Sequence, residues 1–178
     1  MLPLGAKAPN FDLIDTLSKQ TKSYKSLKGD NGMLVMFICN HCPYVLHIQE
    51  SLVSVGNKYI ELGIGVVAIS SNDVIAYPED DPVKMEQFAL NFGFKFPYLY
   101  DETQGVAKSY EAACTPDFYL FDHHDELVYR GRFDASRPGN NIKVTGVDLI
   151  SALELLLTGQ SQSSIQLPSM GCNIKWRS

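Results

Sequence analysis

Two cysteines separated by two residues are the feature of this sequence best suited to chemistry. Cys39 and Cys42 stand in the stretch FICNHCPYV, directly after an apolar run and directly before a proline. Such a pair can exchange disulfides, reduce a hydroperoxide or supply half of a metal site. A structural zinc needs four ligands, and no second C-x-x-C pair is present to complete the set. Four cysteines in 178 residues also exclude a disulfide-rich scaffold, so redox chemistry is the prediction.

The residues around the pair predict a strand before it and a helix after it. Residues 32–38 are continuously apolar, as in a strand buried on both faces. Apolar residues recur at helical spacing from Val45 to Tyr59, Gly63 ends that helix, and residues 64–70 form a second buried strand. This βαβ unit makes the two strands parallel. A C-x-x-C motif beside a βαβ unit is typical of a thioredoxin-like redox site.

From the position of each cysteine relative to the N-terminus of the helix, we predict its role in the reaction. Its unpaired N–H groups and partial positive charge favour a thiolate. Cys39 is therefore expected to be the exposed attacking thiol with a lowered pKa, and Cys42, one turn into the helix, the shielded resolving thiol. Pro43 suits the first turn because it lacks an N–H group. Asn40 and His41 are predicted to contact the substrate, and a protonated His41 would further stabilise the thiolate.

The rest of the chain predicts one α/β domain over residues 1–178 with no internal repeat. Residues 1–30 form an N-terminal extension that begins with an antiparallel pair, and residues 160–178 form a tail packed on the domain, with Trp176 as its anchor. Thr145 is the expected N-cap of a final helix. The other predicted elements are a helix near 82–92, a strand at 96–100, a short helix at 103–110 and a hairpin at 117–133 with a solvated tip.

Composition limits the classes of molecule with which this protein is expected to interact. A net charge of −5 without a basic block argues against nucleic acid. No apolar run approaches the roughly 18 residues that a bilayer crossing needs, so no membrane association is expected. The N-terminus lacks the pattern of a secretory signal, which predicts a cytoplasmic protein. No cofactor and no metal are predicted.

Several segments together resemble a known family. These are GAKAPNFDL, CNHCPYV, CTPDFYLFD, YRGRFDASRPGN and PSMGCNIKW. Over nearly its whole length the chain resembles thioredoxin-fold proteins of the alkyl hydroperoxide reductase/thiol-specific antioxidant branch, which are called peroxiredoxin-like. The resemblance implies a thioredoxin-like fold: a central mixed β-sheet flanked by helices, with an N-terminal hairpin extension and a C-terminal tail.

The resemblance also implies a role for the Thr115–Pro116 bond. Thioredoxin-like proteins place a cis-proline opposite the C-x-x-C motif, so Pro116 is an expected active-site residue, and the backbone of Thr115 would pair with a substrate segment. From the residues alone, a trans-proline that opens an edge strand is the alternative. Cys114 is expected near the pair, as a third thiol or a packed sulfur. It could bond to Cys172, or both could remain free.

Two departures from the family pattern bear on function. Peroxiredoxins carry Pro-x-x-x-Thr-x-x-Cys, but Gly32 and Met36 stand at the corresponding positions here. Peroxiredoxins also place an arginine just before the strand equivalent to DFYLF, where Thr115 and Pro116 stand here. Arg130, Arg132 or Arg137 could instead reach the site from the hairpin region.

The predicted function is therefore a thiol-disulfide oxidoreductase that acts on a disulfide-bearing protein or small molecule and is reduced by an upstream thiol. The alternatives are a thiol peroxidase that reduces hydroperoxides through Cys39, and a non-enzymatic metal-binding or chaperone module that uses Cys39 and Cys42.

Overall fold

The computed structural model describes residues 2–177, which form nine strands and five α-helices. The strands are β1 (Asp12–Asp15), β2 (Thr21–Ser23), β3 (Gly32–Phe37), β4 (Ile64–Ser70), β5 (Tyr98–Tyr100), β6 (Cys114–Thr115), β7 (Asp117–Phe121), β8 (Leu127–Gly131) and β9 (Cys172–Asn173). The helices are α1 (Tyr24–Leu27), α2 (Pro43–Glu61), α3 (Pro82–Phe92), α4 (Gly105–Ser109) and α5 (Val147–Leu157), with a short 3₁₀ turn at Pro78–Asp80.

Seven of these strands form one mixed sheet. Its order is β2-β1-β5-β4-β3-β7-β8, and β6 and β9 pair separately. Strand β4 is parallel to both β3 and β5, whereas the other pairs of the large sheet are antiparallel. The predicted parallel βαβ unit and the mixed α/β sheet flanked by helices are therefore confirmed. Among residues 2–177, no helix combines the length and apolar character needed to cross a bilayer.

The central strand β3 contributes side chains to a hydrophobic core on each face of the sheet. All six of its residues are buried. Leu34 and Met36 pack with α2, α3 and α5 on one face, whereas Met33, Val35 and Phe37 pack on the opposite face. The side chains alternate because successive residues of a strand point to opposite faces. The strand is thus fixed from both sides, and so is the position of the residues that follow it.

Two local expectations were wrong. Helix α5 is capped by Gly146, not by Thr145, because the side chain of Asp134 accepts hydrogen bonds from both of their N–H groups, each at 2.6 Å. The tail is anchored by Ile174, which is 2% exposed, whereas the predicted anchor Trp176 is 42% exposed.

Candidate active site

The cysteine pair lies where β3 ends and α2 begins. Cys39 follows the strand, and Cys42 is the N-cap residue of α2, with Pro43 as the first helical residue. Cys42 therefore stands at the helix boundary and not one turn inside. Strand β7 runs antiparallel to β3 with Asp117 opposite Phe37, which brings the preceding Thr115 and Pro116 to the same end of the sheet. The Thr115–Pro116 peptide bond is cis, as the resemblance implied.

Thr115 contacts both sulfurs. Its Oγ1 lies 3.5 Å from Cys39 Sγ, and its carbonyl oxygen lies 3.1 Å from Cys42 Sγ. All four cysteines are free thiols. Cys39 is 1% exposed and Cys42 is 0% exposed, so the expectation that Cys39 stands exposed at the lip of the helix was wrong. In this reduced state neither sulfur meets solvent.

The two thiols form a hydrogen-bonded pair. That bond lowers the pKa of Cys42 to about 4, and smaller contributions come from Cys172 and from the Thr115 side chain, although burial opposes them. The N–H of Val45 also lowers the pKa of Cys42, but it does not form a capping bond. The pKa of Cys39 is raised by the bond to Cys42, by burial and by the negative charge of Asp80. These opposite pKa shifts favour a thiolate on Cys42 over one on Cys39 in the closed pair, the reverse of the sequence-based prediction.

One contact of Cys42 acts in the opposite direction. A carbonyl oxygen accepts a hydrogen bond from a thiol but has no proton to offer a thiolate. The 3.1 Å contact with the Thr115 carbonyl therefore favours a proton on Cys42. In that arrangement the Cys39 thiolate would accept from the Thr115 hydroxyl at 3.5 Å. Whichever sulfur carries the shared proton, both sulfurs have a hydrogen-bond partner. A transfer of the proton from one sulfur to the other changes which cysteine is the nucleophile.

A buried carboxylate below Cys39 organises this end of the site. Asp80 is 0% exposed and accepts hydrogen bonds from the N–H of Asn40 at 2.8 Å and the side-chain amide of Asn72 at 2.7 Å. His41 Nδ1 lies 2.8 Å from Asp80 Oδ2 but off the line of a directed hydrogen bond. The ring of His41 also stacks on Tyr77. Asn40 and His41 therefore hold a carboxylate, whereas they were expected to contact the substrate.

Cys39, His41 and Asp80 also bring possible metal-binding atoms together. One atom from each lies within 4.8 Å of the other two. However, both oxygens of Asp80 already have partners, and a structural zinc needs four ligands. The cluster is better explained by the hydrogen bonds that Asp80 accepts from Asn40 and Asn72.

The backbone edge at Thr115 is occupied by the chain itself. Strand β9 pairs antiparallel with β6, which places Cys172 opposite Thr115 and Asn173 opposite Cys114. Gly171 lies so close that a Cβ there would be 2.0 Å from the Thr115 carbonyl oxygen. The expectation of an open edge at Thr115 was therefore wrong, because the tail fills it.

The secondary candidates Cys114 and Arg132 have their polar partners elsewhere, although Cys114 is near enough to the pair for the charge of Cys42 to raise its pKa. Cys114 Sγ points to the Pro116 carbonyl oxygen at 3.7 Å, and burial, followed by the charge of Asp117, raises its pKa to about 12. Arg132 lines a cleft beside Pro116, but its guanidinium is paired with Asp148 at 2.6 Å.

Asp80 and Cys172 are the site residues that sequence reasoning missed. The acidic run around Asp80 resembles an ordinary helix start, and Cys172, within the family-like segment PSMGCNIKW, was expected only as a possible partner of Cys114. Each of these two residues belongs to the site through a contact with a residue far away along the chain.

Comparisons with known proteins identify a family and several similar proteins. The model of the AhpC/TSA family matches residues 4–130. The thiol-disulfide oxidoreductase ResA of Bacillus thuringiensis is 25% identical over 130 residues, which are 71% of this chain and 68% of that protein. The crystal structure of an uncharacterized conserved protein from Geobacillus kaustophilus is 50% identical with a TM-score of 0.97, covering 99% of this chain and 94% of that one.

More distant structures share the fold. The thioredoxin domain of a thiol-disulfide oxidoreductase from Bacteroides vulgatus has a TM-score of 0.61 at 20% identity, covering 73% of this chain and 89% of that one. The expected thioredoxin-like fold is confirmed.

Proposed function

The chain belongs to the AhpC/TSA family, and we propose that it is a thiol-disulfide oxidoreductase whose Cys39–Cys42 dithiol delivers two electrons to a disulfide. A redox role is supported by the curated relative, which is a thiol-disulfide oxidoreductase. The observation that carries the dithiol mechanism is the hydrogen-bonded sulfur pair at the start of α2, with Thr115 in contact with both sulfurs.

The reaction begins with a proton shift within the pair. The proton of Cys39 crosses to Cys42, whose thiol then donates to the Thr115 carbonyl oxygen. The Cys39 thiolate attacks a substrate disulfide, forms a mixed disulfide and expels one substrate thiolate. Cys42 then loses its proton to that thiolate and attacks Cys39 Sγ. The mixed disulfide breaks, the second substrate sulfur leaves as a thiolate, and a Cys39–Cys42 disulfide remains.

The burial of both sulfurs sets a condition on this cycle. A substrate disulfide must approach Cys39 in line, but the site is closed by β9 and by the loop that carries Asp80. A protein or small-molecule disulfide therefore reacts only when one of these segments moves. We place the protein in the cytoplasm, where an upstream thiol reductant would restore the dithiol.

The peroxidase alternative has weaker support. Met36, at the position where peroxiredoxins have a threonine, is 1% exposed and packs in the core, so it offers no hydroxyl to a peroxide. Arg132 is held by Asp148 and shows no contact with Cys39. Disulfide exchange needs only a thiolate and a resolving thiol, which this site contains.

Trapping of mixed disulfides tests the proposal. Cys42→Ser removes the resolving thiol, so incubation with oxidised insulin should accumulate a covalent adduct through Cys39. The matched variant Cys39→Ser should accumulate no adduct through position 42, because Cys42 is fully buried and its sulfur faces the Thr115 carbonyl oxygen and Cys172. Adduct mass and peptide mapping identify the bonded residue. Equal trapping by both variants, or by neither, would overturn the assignment.

A further inference from the structure

The C-terminal tail inserts a third thiol into the redox site. Strand β9 forms the edge next to β6, and the register sets Cys172 against Thr115, the residue that contacts both active-site sulfurs. The tail approaches closely because Gly171 has no side chain at a point where a Cβ would meet the Thr115 carbonyl. The position of Cys172 is thus fixed by backbone pairing.

Several contacts hold the tail in this position. Ile174 is buried, and its N–H donates to the Ala113 carbonyl at 3.2 Å. Lys175 donates its N–H to the Asn72 side chain at 2.9 Å and accepts at its carbonyl from the Gln104 amide at 2.8 Å. Asn72 also bonds to Asp80, so the tail and the carboxylate below Cys39 share one network.

Cys172 contacts one particular sulfur of the pair. Its thiol is hydrogen-bonded to Cys42 and packs against the core cluster that contains both active-site cysteines. Cys114, the other thiol of this region, points to a carbonyl oxygen instead. Cys172 is also only half-buried, whereas the pair is closed to solvent. Cys114 is half-buried too, so the contact with Cys42 is what distinguishes Cys172.

We propose that Cys172 is a relay thiol that exchanges with the Cys39–Cys42 disulfide by attack on Cys42. This inference rests on the proposed dithiol function. The Cys172 thiolate attacks Cys42 Sγ, the Cys39–Cys42 bond breaks, a Cys42–Cys172 bond forms, and Cys39 leaves as a thiolate that takes up the proton lost by Cys172. One disulfide is exchanged for another, so no electrons are gained or lost.

The exchange transfers the disulfide bond from the buried Cys39–Cys42 pair to a bond that includes the half-buried Cys172. An external protein dithiol can then attack Cys172 Sγ, which releases the Cys42 thiolate and forms a mixed disulfide. The second thiol of that reductant attacks its own bonded sulfur and frees Cys172. The two electrons come from the external dithiol, which leaves as a disulfide. The buried pair is reset without being opened to solvent.

A cysteine-deletion series tests the relay. Cys39→Ser leaves Cys42 with Cys172 as its sulfur neighbour, so one equivalent of diamide should yield a Cys42–Cys172 disulfide in the monomer. Mapping of peptides after alkylation identifies the bond. The matched double variants separate the candidates: Cys39→Ser with Cys114→Ser should keep the bond, and Cys39→Ser with Cys172→Ser should lose it. Cys39→Ala repeats the test if the serine variant folds poorly.

The outcomes distinguish this proposal from the function on which it rests. A Cys42–Cys114 disulfide, or intermolecular disulfides alone, overturns the relay. If Cys42→Ser still traps insulin through Cys39 in that case, the oxidoreductase assignment stands without the relay. If the Cys42–Cys172 disulfide forms but nothing is trapped through Cys39, the proposed function fails while the sulfur contact is supported.

Discussion

Replacement of Asp80 by asparagine should make Cys39 a faster nucleophile. The carboxylate is fully buried and lies within 4.8 Å of Cys39 Sγ, and its charge is one cause of the raised pKa of that thiol. Asparagine retains the shape and an acceptor oxygen for the Asn40 N–H but removes the charge. The pKa of Cys39 should therefore fall, and more of it should be thiolate at neutral pH.

The size of the effect follows from the distance. Two unit charges 4.8 Å apart interact by about 3 kcal/mol at an effective dielectric constant of about 20. That energy corresponds to roughly a hundredfold rise in thiolate fraction below the pKa. A less basic thiolate is also less nucleophilic, with a Brønsted coefficient of about 0.4–0.5, which cancels about half of the gain on a logarithmic scale. The net expectation is alkylation about tenfold faster.

The measurement uses Cys42→Ser as background, so that Cys39 is observed without its partner. Iodoacetamide labelling of Cys39 is followed at pH 7 by peptide mass, with and without Asp80→Asn. Glu79→Gln, at the exposed neighbouring residue, is the matched control for net charge. If Asp80→Asn labels no faster than Glu79→Gln, Asp80 does not restrain the nucleophile and the electrostatic account is refuted.

Three further predictions concern the sulfur pair and the tail. The pKa of Cys42, about 4, predicts that thiolate absorbance at 240 nm persists as the pH falls to about 5 and disappears as the pH passes through about 4. The same absorbance should be lost in Cys42→Ser. Titration at the pH of an ordinary thiol would count against the low pKa of Cys42. Gly171→Ala should displace the tail, because the added Cβ would lie 2.0 Å from the Thr115 carbonyl oxygen. Alkylation of Cys39 should then be at least severalfold faster than in the control variant Ser163→Ala. Equal rates would show that the tail does not close the site. Ile174→Ala removes a buried side chain worth about 2–5 kcal/mol, so hydrogen exchange in β9 should accelerate while the melting temperature hardly changes, since the tail detaches first; uniform destabilisation would contradict this.

The local features of the fold could be predicted because their causes are local. The apolar run before Cys39 and the helical spacing after Cys42 are enough to define β3, α2 and their junction. The cis bond before Pro116 was accessible only through family resemblance, since the residues alone favoured a trans-proline.

The protonation of the pair could not be predicted, because it depends on distant contacts. Asp80 reaches Cys39 from a loop beyond β4, and Cys172 reaches Cys42 from the far end of the chain. A helix N-terminus by itself favours a thiolate on Cys39. The bond between the two thiols and the burial of Cys39 oppose that preference, and the buried carboxylate and the tail add to the reversal. No sequence pattern names the partner of either Asp80 or Cys172.

The central claim is that the Cys39–Cys42 dithiol exchanges disulfides in preference to reducing peroxide. The reduced protein is mixed separately with insulin and with hydrogen peroxide at matched concentrations, and the remaining dithiol is quantified by rapid acid quenching and thiol labelling. The account predicts that insulin is reduced and that peroxide consumes the dithiol no faster than it consumes an ordinary low-pKa thiolate. Consumption by peroxide orders of magnitude faster, with insulin left oxidised, would contradict it.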